Sequence, residues 1–178
     1  MAQRIDGVVL LDKPNGMSSQ SAVTAVKRHF QAEKAGHTGT LDPTATGLLP
    51  ICLGEATKFS ADLLNADKTY LATLSFGQRT DTADLTGAVT ETTDQLPTAE
   101  QLQGIVKQFT GDSEQIPPMY SALKKDGRPL YEYARRGETI ERAPRKVRIH
   151  SLRLLAFSGT EADIDVCCSK GTYIRTLG

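Results

Sequence analysis
The chain has 178 residues, 39% of them hydrophobic and 24% charged, a balance that argues against disorder and fits one globular domain with a real core. No window approaches the ~20 apolar residues of a spanning helix, the N-terminal Met-Ala-Gln-Arg-Ile-Asp lacks the apolar core of a signal peptide, and Cys52, Cys167 and Cys168 have neither disulfide-framework nor metal-ligand spacing. A cytoplasmic protein with no membrane association, no metal and no cofactor is expected. The formal charge is zero but unevenly spread: +1 over residues 1–58, −6 over 59–118, +5 over 119–148 and 0 over 149–178. One basic tract on a neutral chain is a place for a phosphate backbone.

Gly7 to Lys13, Gly-Val-Val-Leu-Leu-Asp-Lys, reads as a buried strand followed by a Pro-Asn-Gly turn. Ser18 and Ser19 are natural N-caps for an amphipathic helix reaching about Gln31, with Ala22, Val23, Val26 and Phe30 on one face. Then comes Gly36 to Pro50, Gly-His-Thr-Gly-Thr-Leu-Asp-Pro-Thr-Ala-Thr-Gly-Leu-Leu-Pro. Its glycines and Pro43 exclude a regular helix, and a residue before proline favours extended geometry, so Asp42 is held in a shaped loop. From the residues alone, Asp42 either makes an Asx turn or is a carboxylate aimed at chemistry.

This fifteen-residue stretch resembles the catalytic motif of the bacterial tRNA pseudouridine synthase B family, with Thr44 where the family usually has leucine or valine. The resemblance implies that Asp42 is the catalytic residue and that His37 helps hold the RNA open. It also implies a supporting role near the site for Lys13, which by itself reads as a solvated charge.

Leu48 to Leu53 is a short apolar run bounded by Pro50 and Gly54, and Glu55 to about Asn65 has helical spacing through Ala56, Phe59, Leu63 and Leu64. From Lys68 to Phe76 the sequence alternates, placing Tyr70, Ala72, Leu74 and Phe76 on one face of a strand. Tyr70 alone reads as core; the family's Lys-x-Tyr-x-Ala strand implies that it stacks on the target uracil. Residues 77–87 fit neither a calcium loop, since Ala83 and Leu85 stand where oxygen ligands belong, nor a phosphate loop, so Asp81 and Asp84 are expected to hold a turn by hydrogen bonds.

Thr98 caps a helix to about Phe109 that uses Leu102, Ile105, Val106 and Phe109, and Gly111 ends it. Residues 118–148 form the basic tract, where Tyr120, Tyr131 and Tyr133 interleave with cations, either a solvated helix with buried tyrosines or a surface for phosphates and unstacked bases. It resembles the family's RNA-contacting insertion, which makes Lys124, Lys125, Arg135 and Arg136 candidates for the RNA backbone. Val147 to Phe157 and Glu161 to Ser169 read as a hairpin around Ser158-Gly159-Thr160, with Ile164, Val166 and Cys168 sharing a face.

The final Ser-Lys-Gly-Thr-Tyr-Ile-Arg-Thr-Leu-Gly resembles a second family motif. There Tyr173 would pack beside the flipped base and Arg175 would pair with the catalytic aspartate. By itself Arg175 reads as a surface charge at a helix start. The family continues beyond this point into more sheet and a small RNA-binding domain, so the chain is expected to be part of a longer one.

Taken together, the resemblance implies an α+β pseudouridine synthase fold: a mixed, mostly antiparallel sheet with flanking helices, residues 1–178 forming the catalytic domain with its insertion. The implied reaction is the isomerisation of a uridine in the TψC stem-loop of tRNA, with the base flipped out, no cofactor and no protein partner required. A carboxylate acting as nucleophile or base, a cation that keeps it ionised and aromatic faces for the detached base are the groups this needs. Two other readings are an RNA binder without chemistry and a glycoside hydrolase. The latter calls for two carboxyls flanking the bond, and only Asp42 lies in a motif of the right kind.

Overall fold
Two units, one ending at Ala66 and one running Asp67–Gly178, form the computed structural model, which describes residues 4–178. Met1, Ala2 and Gln3 of the N-terminal stretch read for a leader lie outside the described residues.

In the first unit β1 (Gly7–Lys13) leads through a turn to helix α1 (Ser19–His29), followed by β2 (Ala35–His37) and β3 (Gly47–Leu53). The expected cap forms: Ser18 is extended and its Oγ accepts from the Ser21 amide at 3.1 Å. The helix stops two residues short of Gln31, which takes a left-handed φ of +52°. β3 lies between β1 and β2, antiparallel to both. Ala22, Val23 and Val26 from α1 pack with Leu49, Ile51 and Leu53 into one core, and burying such side chains contributes roughly 1.5–3 kcal/mol each for the larger ones.

Pro50 does not bound the apolar run as expected; the strand passes through it. Pro50 faces Leu10 in register, and its carbonyl accepts from Thr38 just past the end of β2. The edge that lacks a donor therefore points where β2 has already stopped, and no ladder bond is lost. β1 is also not buried on both sides, since Val9 and Leu11 join the core while Leu10 is 71% exposed.

The single helix expected over Glu55–Asn65 is instead a 3-10 helix, Gly54–Phe59, followed by α2 (Ser60–Asn65), neither with a buried residue. Two hydroxyls explain the tight start: Thr57 donates to the Gly54 carbonyl at 2.7 Å and Ser60 to the Thr57 carbonyl at 2.8 Å, satisfying carbonyls at i+3 spacing. Phe59, expected on the apolar face, is 66% exposed.

The second unit contains β4 (Lys68–Ser75), the small hairpin β5 (Gln78–Thr80) and β6 (Val89–Thr92), helix α3 (Ala99–Gln108), β7 (Gly111–Gln115), the short pair β8 (Lys124–Lys125) and β9 (Arg128–Pro129), α4 (Leu130–Ala134), β10 (Arg145–Phe157), β11 (Glu161–Cys168) and α5 (Ile174–Leu177). Its main sheet has the order β4-β11-β10-β7. Tyr70, Ala72 and Leu74 share a packed face with Ile149, Ile164, Val166 and Cys168, as the alternation predicts. The β10-β11 hairpin turns at Gly159 with φ +93°. Thr98 caps α3 in a full capping box with Gln101, but Leu102 is that helix's one buried residue, and Ile105 and Phe109 are exposed.

β7, Gly-Asp-Ser-Glu-Gln, has no apolar alternation to mark it as a strand; it exists because β10 supplies a five-residue ladder. That ladder begins at Arg145, so the last residues of the predicted 118–148 insertion belong to the main sheet. Every ladder among the described residues is antiparallel, and the fold class is α+β, as expected.

Candidate active site
Asp42 opens a tight turn in which the Ala45 amide donates to the Asp42 carbonyl at 3.0 Å, with Pro43 next in line to set the bend. The turn is pinned on both flanks. On one side Ser19 Oγ accepts from the Leu41 amide at 2.9 Å and donates to the Leu41 carbonyl at 3.0 Å. On the other, the Pro43 carbonyl accepts from the Gly16 amide at 2.8 Å and from Lys13 Nζ at 3.3 Å. Ser19 and Thr38 are both buried, and Thr38 anchors the loop's start to Pro50.

Lys13 is not the solvated charge its residue type suggests: it is 0% exposed. Its ammonium donates to the carbonyls of Met17 at 2.7 Å, Pro14 at 3.1 Å and Pro43 at 3.3 Å, using all three of its hydrogens. Burial lowers its pKa from the usual lysine value, and the Asp42 carboxylate works in the opposite direction. Lys13 thus ties the Lys-Pro turn to the Asp-Pro turn and adds positive potential beside the carboxylate.

His37 ends β2, half-buried, and its Nδ1 accepts the Gly39 amide at 3.3 Å. Burial holds the imidazole below its ordinary pKa, and a ring nitrogen that accepts a hydrogen bond carries no proton. Near neutral pH this ring is uncharged, with its Nε2 hydrogen as the available donor.

In the second unit Tyr70 lies half-buried on β4 against the sheet's core. Tyr173 precedes α5, with its main chain held by the Gln115 carboxamide. Arg175 lies in α5 with its side chain only 11% exposed, so it is not a surface charge. Its guanidinium donates to the Tyr120 carbonyl at 2.6 Å, approaches Asp84 Oδ2 at 3.7 Å and lies over the Tyr173 ring at 5.7 Å. Asp84 Oδ1 accepts from the Thr86 hydroxyl at 2.6 Å, the Thr86 amide at 2.9 Å and Thr82 at 2.9 Å. Burial pushes this carboxyl up, but those hydrogen bonds and Arg175 outweigh it and leave its pKa lowered.

Within the basic tract Lys124 and Lys125 are exposed on β8, and Arg135 and Arg136 are exposed just beyond α4. The hairpin between β8 and β9 turns on Asp126-Gly127, whose φ values of +50° and +79° suit a two-residue primed turn. The tyrosines are half-buried: Tyr133 donates its hydroxyl to the Lys125 carbonyl at 3.1 Å, and Arg135 covers the Tyr131 ring at 5.2 Å. They brace the tract and hold its cations outward. Among the described residues no cluster of three or more His, Cys, Asp or Glu is arranged to hold a metal ion.

Residues 27–174 match the TruB family pseudouridylate synthase (N terminal domain). The chain belongs to this family. It is 60% identical over 178 residues to a tRNA pseudouridine synthase B of Bordetella avium, with 98% of this chain and 73% of that protein covered. It is 57% identical to one from Vibrio atlanticus, of which it spans 55%. Among solved structures it is similar to a chain of a Cbf5-Nop10-Gar1 complex, with TM-score 0.71 and 30% identity over 98% of this chain and 42% of that one. A second, an H/ACA RNP bound to a substrate RNA containing 2′-deoxyuridine, matches with TM-score 0.67 and 28% identity, over 96% of this chain and 40% of that one.

In this TruB-family chain Lys13, His37 and Asp42 belong to the first unit, and Tyr70, Tyr173, Arg175 and the four basic residues belong to the second. Sequence reasoning misses three polar roles here. Ser19, read beside Ser18 as an N-cap, instead lies inside α1 and gives its hydroxyl to the Leu41 main chain. Asp84 reads from sequence only as a residue that holds a turn, which it does, yet it is also an ionic partner of Arg175. Gln115 carried no signal at all, because its partner is a main chain 58 residues away.

Proposed function
We propose that this chain carries the catalytic machinery of a tRNA pseudouridine synthase that isomerises a uridine in the TψC stem-loop. The N1 bond to the sugar breaks, a C5 bond to the same sugar carbon forms, C5 gives up its proton and N1 gains one. Substrate and product have the same composition, so the reaction calls for no net oxidant, reductant or added group.

The observation that carries this reading is the doubly pinned Asp42 turn, with buried Ser19 on one flank and buried Lys13 on the other. A turn held this firmly fixes the backbone from which the carboxylate projects, which is what positioning catalysis requires. Asp42 serves as the nucleophile or base that begins bond cleavage. Arg175 supplies the cation that keeps a carboxylate ionised, and Tyr70 and Tyr173 supply faces for the uracil. Reaching a base stacked in a folded loop requires that it be flipped out. His37, uncharged and half-buried, suits a group that fills the space the base leaves. The exposed cations of the tract bind the backbone.

The experiment is tritium release from C5-labelled tRNA. Asp42→Asn should abolish turnover while leaving tRNA affinity nearly unchanged, because the amide keeps the shape and loses the ionised oxygen. Turnover within about tenfold of wild type would remove Asp42 from this role, and binding of tRNA without any pseudouridine formation by the wild type would leave an RNA binder.

A further inference from the structure
Gln115 ends β7, and its side chain meets both main-chain polar groups of one residue, Tyr173. Oε1 accepts from the Tyr173 amide at 2.9 Å and Nε2 donates to the Tyr173 carbonyl at 3.0 Å. A primary carboxamide offers an acceptor and a donor side by side, so this pair imitates a rung of a β-ladder between segments far apart in sequence. Gln115 is itself fixed by its register opposite Arg145 in β10.

Tyr173 stands at the start of α5 and makes no side-chain cap there. The carboxamide therefore sets where that short helix begins and, with it, where Arg175 starts. At its far end Arg175 is held again, through the Tyr120 carbonyl at 2.6 Å. The segment from Gln115 to Tyr120 grips Tyr173 and Arg175 at two points, the main chain at one and the guanidinium at the other. The same segment continues into the basic tract, where the Tyr131 amide donates to the Ser121 carbonyl at 3.2 Å and the Leu130 amide to the Leu123 carbonyl at 2.7 Å.

We propose that Gln115 is a positioning residue for the reaction: its carboxamide aligns the Tyr173 ring and the Arg175 guanidinium and ties both to the segment that leads into the basic tract. This rests on the roles given above to Tyr173 and Arg175. Gln115 touches no reacting atom and acts through those two residues. Losing the rung leaves the fold intact, because β7 keeps its own ladder, and displaces the site by a distance on the ångström scale.

The test compares Gln115→Met, which keeps length and loses both bonds, with Gln115→Glu, which keeps the acceptor and turns the donor into an oxygen facing the Tyr173 carbonyl. Single-turnover pseudouridine formation at saturating tRNA is expected to slow by about 10–100-fold in both at pH 8. The tRNA Kd is expected to stay within about threefold and the unfolding midpoint close to wild type. The Gln115→Glu rate, taken relative to wild type, should rise as pH falls from about 8 to about 6, because a protonated carboxyl regains the donor and its place against a carbonyl raises its pKa. The Gln115→Met ratio should stay flat. Unchanged rates would overturn the proposal. So would a slowing that tracks lost tRNA binding or lost folded protein, or a Gln115→Glu defect indifferent to pH. Turnover by Asp42→Asn, measured alongside, would instead defeat the functional reading itself.

Discussion

Replacing Lys13 by methionine should loosen the Asp42 turn and lower stability together. The side chain is fully buried and its ammonium meets three carbonyls. Methionine fills most of the same space without a donor. The Pro43 carbonyl keeps the Gly16 amide, while the Pro14 and Met17 carbonyls lose the donor that Nζ supplied. Two partly buried carbonyls deprived of a charged donor cost roughly 1–3 kcal/mol each, with that of the exposed Pro14 at the low end. Part of this is returned because a charge no longer has to be desolvated, the same effect that lowers the Lys13 pKa. The net loss is about 2–3 kcal/mol, or ~4–12 °C in Tm for a chain of this size. A turn freed on one flank can shift by ~1 Å, enough to cost ~100-fold in rate. Lys13→Arg should not rescue it, since a planar guanidinium cannot direct its donors at three converging carbonyls. Thermal unfolding and single-turnover assays on both variants measure this. A Lys13→Met protein with wild-type Tm and rate would refute the argument, because the three bonds would then be holding nothing.

Converting Lys124, Lys125, Arg135 and Arg136 together to alanine should weaken tRNA binding and flatten log K against log salt by about 3, four contacts at ~0.7 each; an unchanged slope would make the tract an ordinary solvated surface. Gly54→Ala should lower the unfolding free energy by at least ~2 kcal/mol, since φ is +55° and a Cβ there would lie 2.3 Å from the Ile5 carbonyl oxygen and 2.1 Å from Asp6 Oδ1; a neutral result in urea titration would contradict the close approach. His37 has a folded pKa below its unfolded value, so the unfolded chain takes up a proton first as pH falls, and stability drops from about pH 6.5 downward. Urea midpoints in that window should fall more steeply for wild type than for His37→Gln, and parallel curves would deny the burial of the ring.

Local features survived the passage from sequence to structure wherever neighbours in the chain decide them. The Ser18 and Thr98 caps, the alternating face of β4, the hairpin at Gly159 and the non-helical stretch around Asp42 depend on contacts within a few residues, and all are present. The Asp126-Gly127 turn could have been read the same way, since an Asp-Gly pair is a hairpin signal in its own right. Glu55–Asn65 misled because its apolar spacing is helical while its Thr and Ser hydroxyls favour a tighter turn, and the resulting elements bury no side chain.

The motif resemblance singled out Asp42, His37, Tyr70, Tyr173 and Arg175 without saying what holds any of them. Holding is a matter of partners distant in sequence. A lysine after a strand looks solvated until the fold surrounds it with the Pro14, Met17 and Pro43 carbonyls. A polar pentapeptide looks like loop until β10 pairs with it, and a glutamine at its end means nothing until Tyr173 arrives alongside. Burial and hydrogen bonding across long separations create these roles, because a donor or acceptor removed from water must find its partner wherever the chain happens to return.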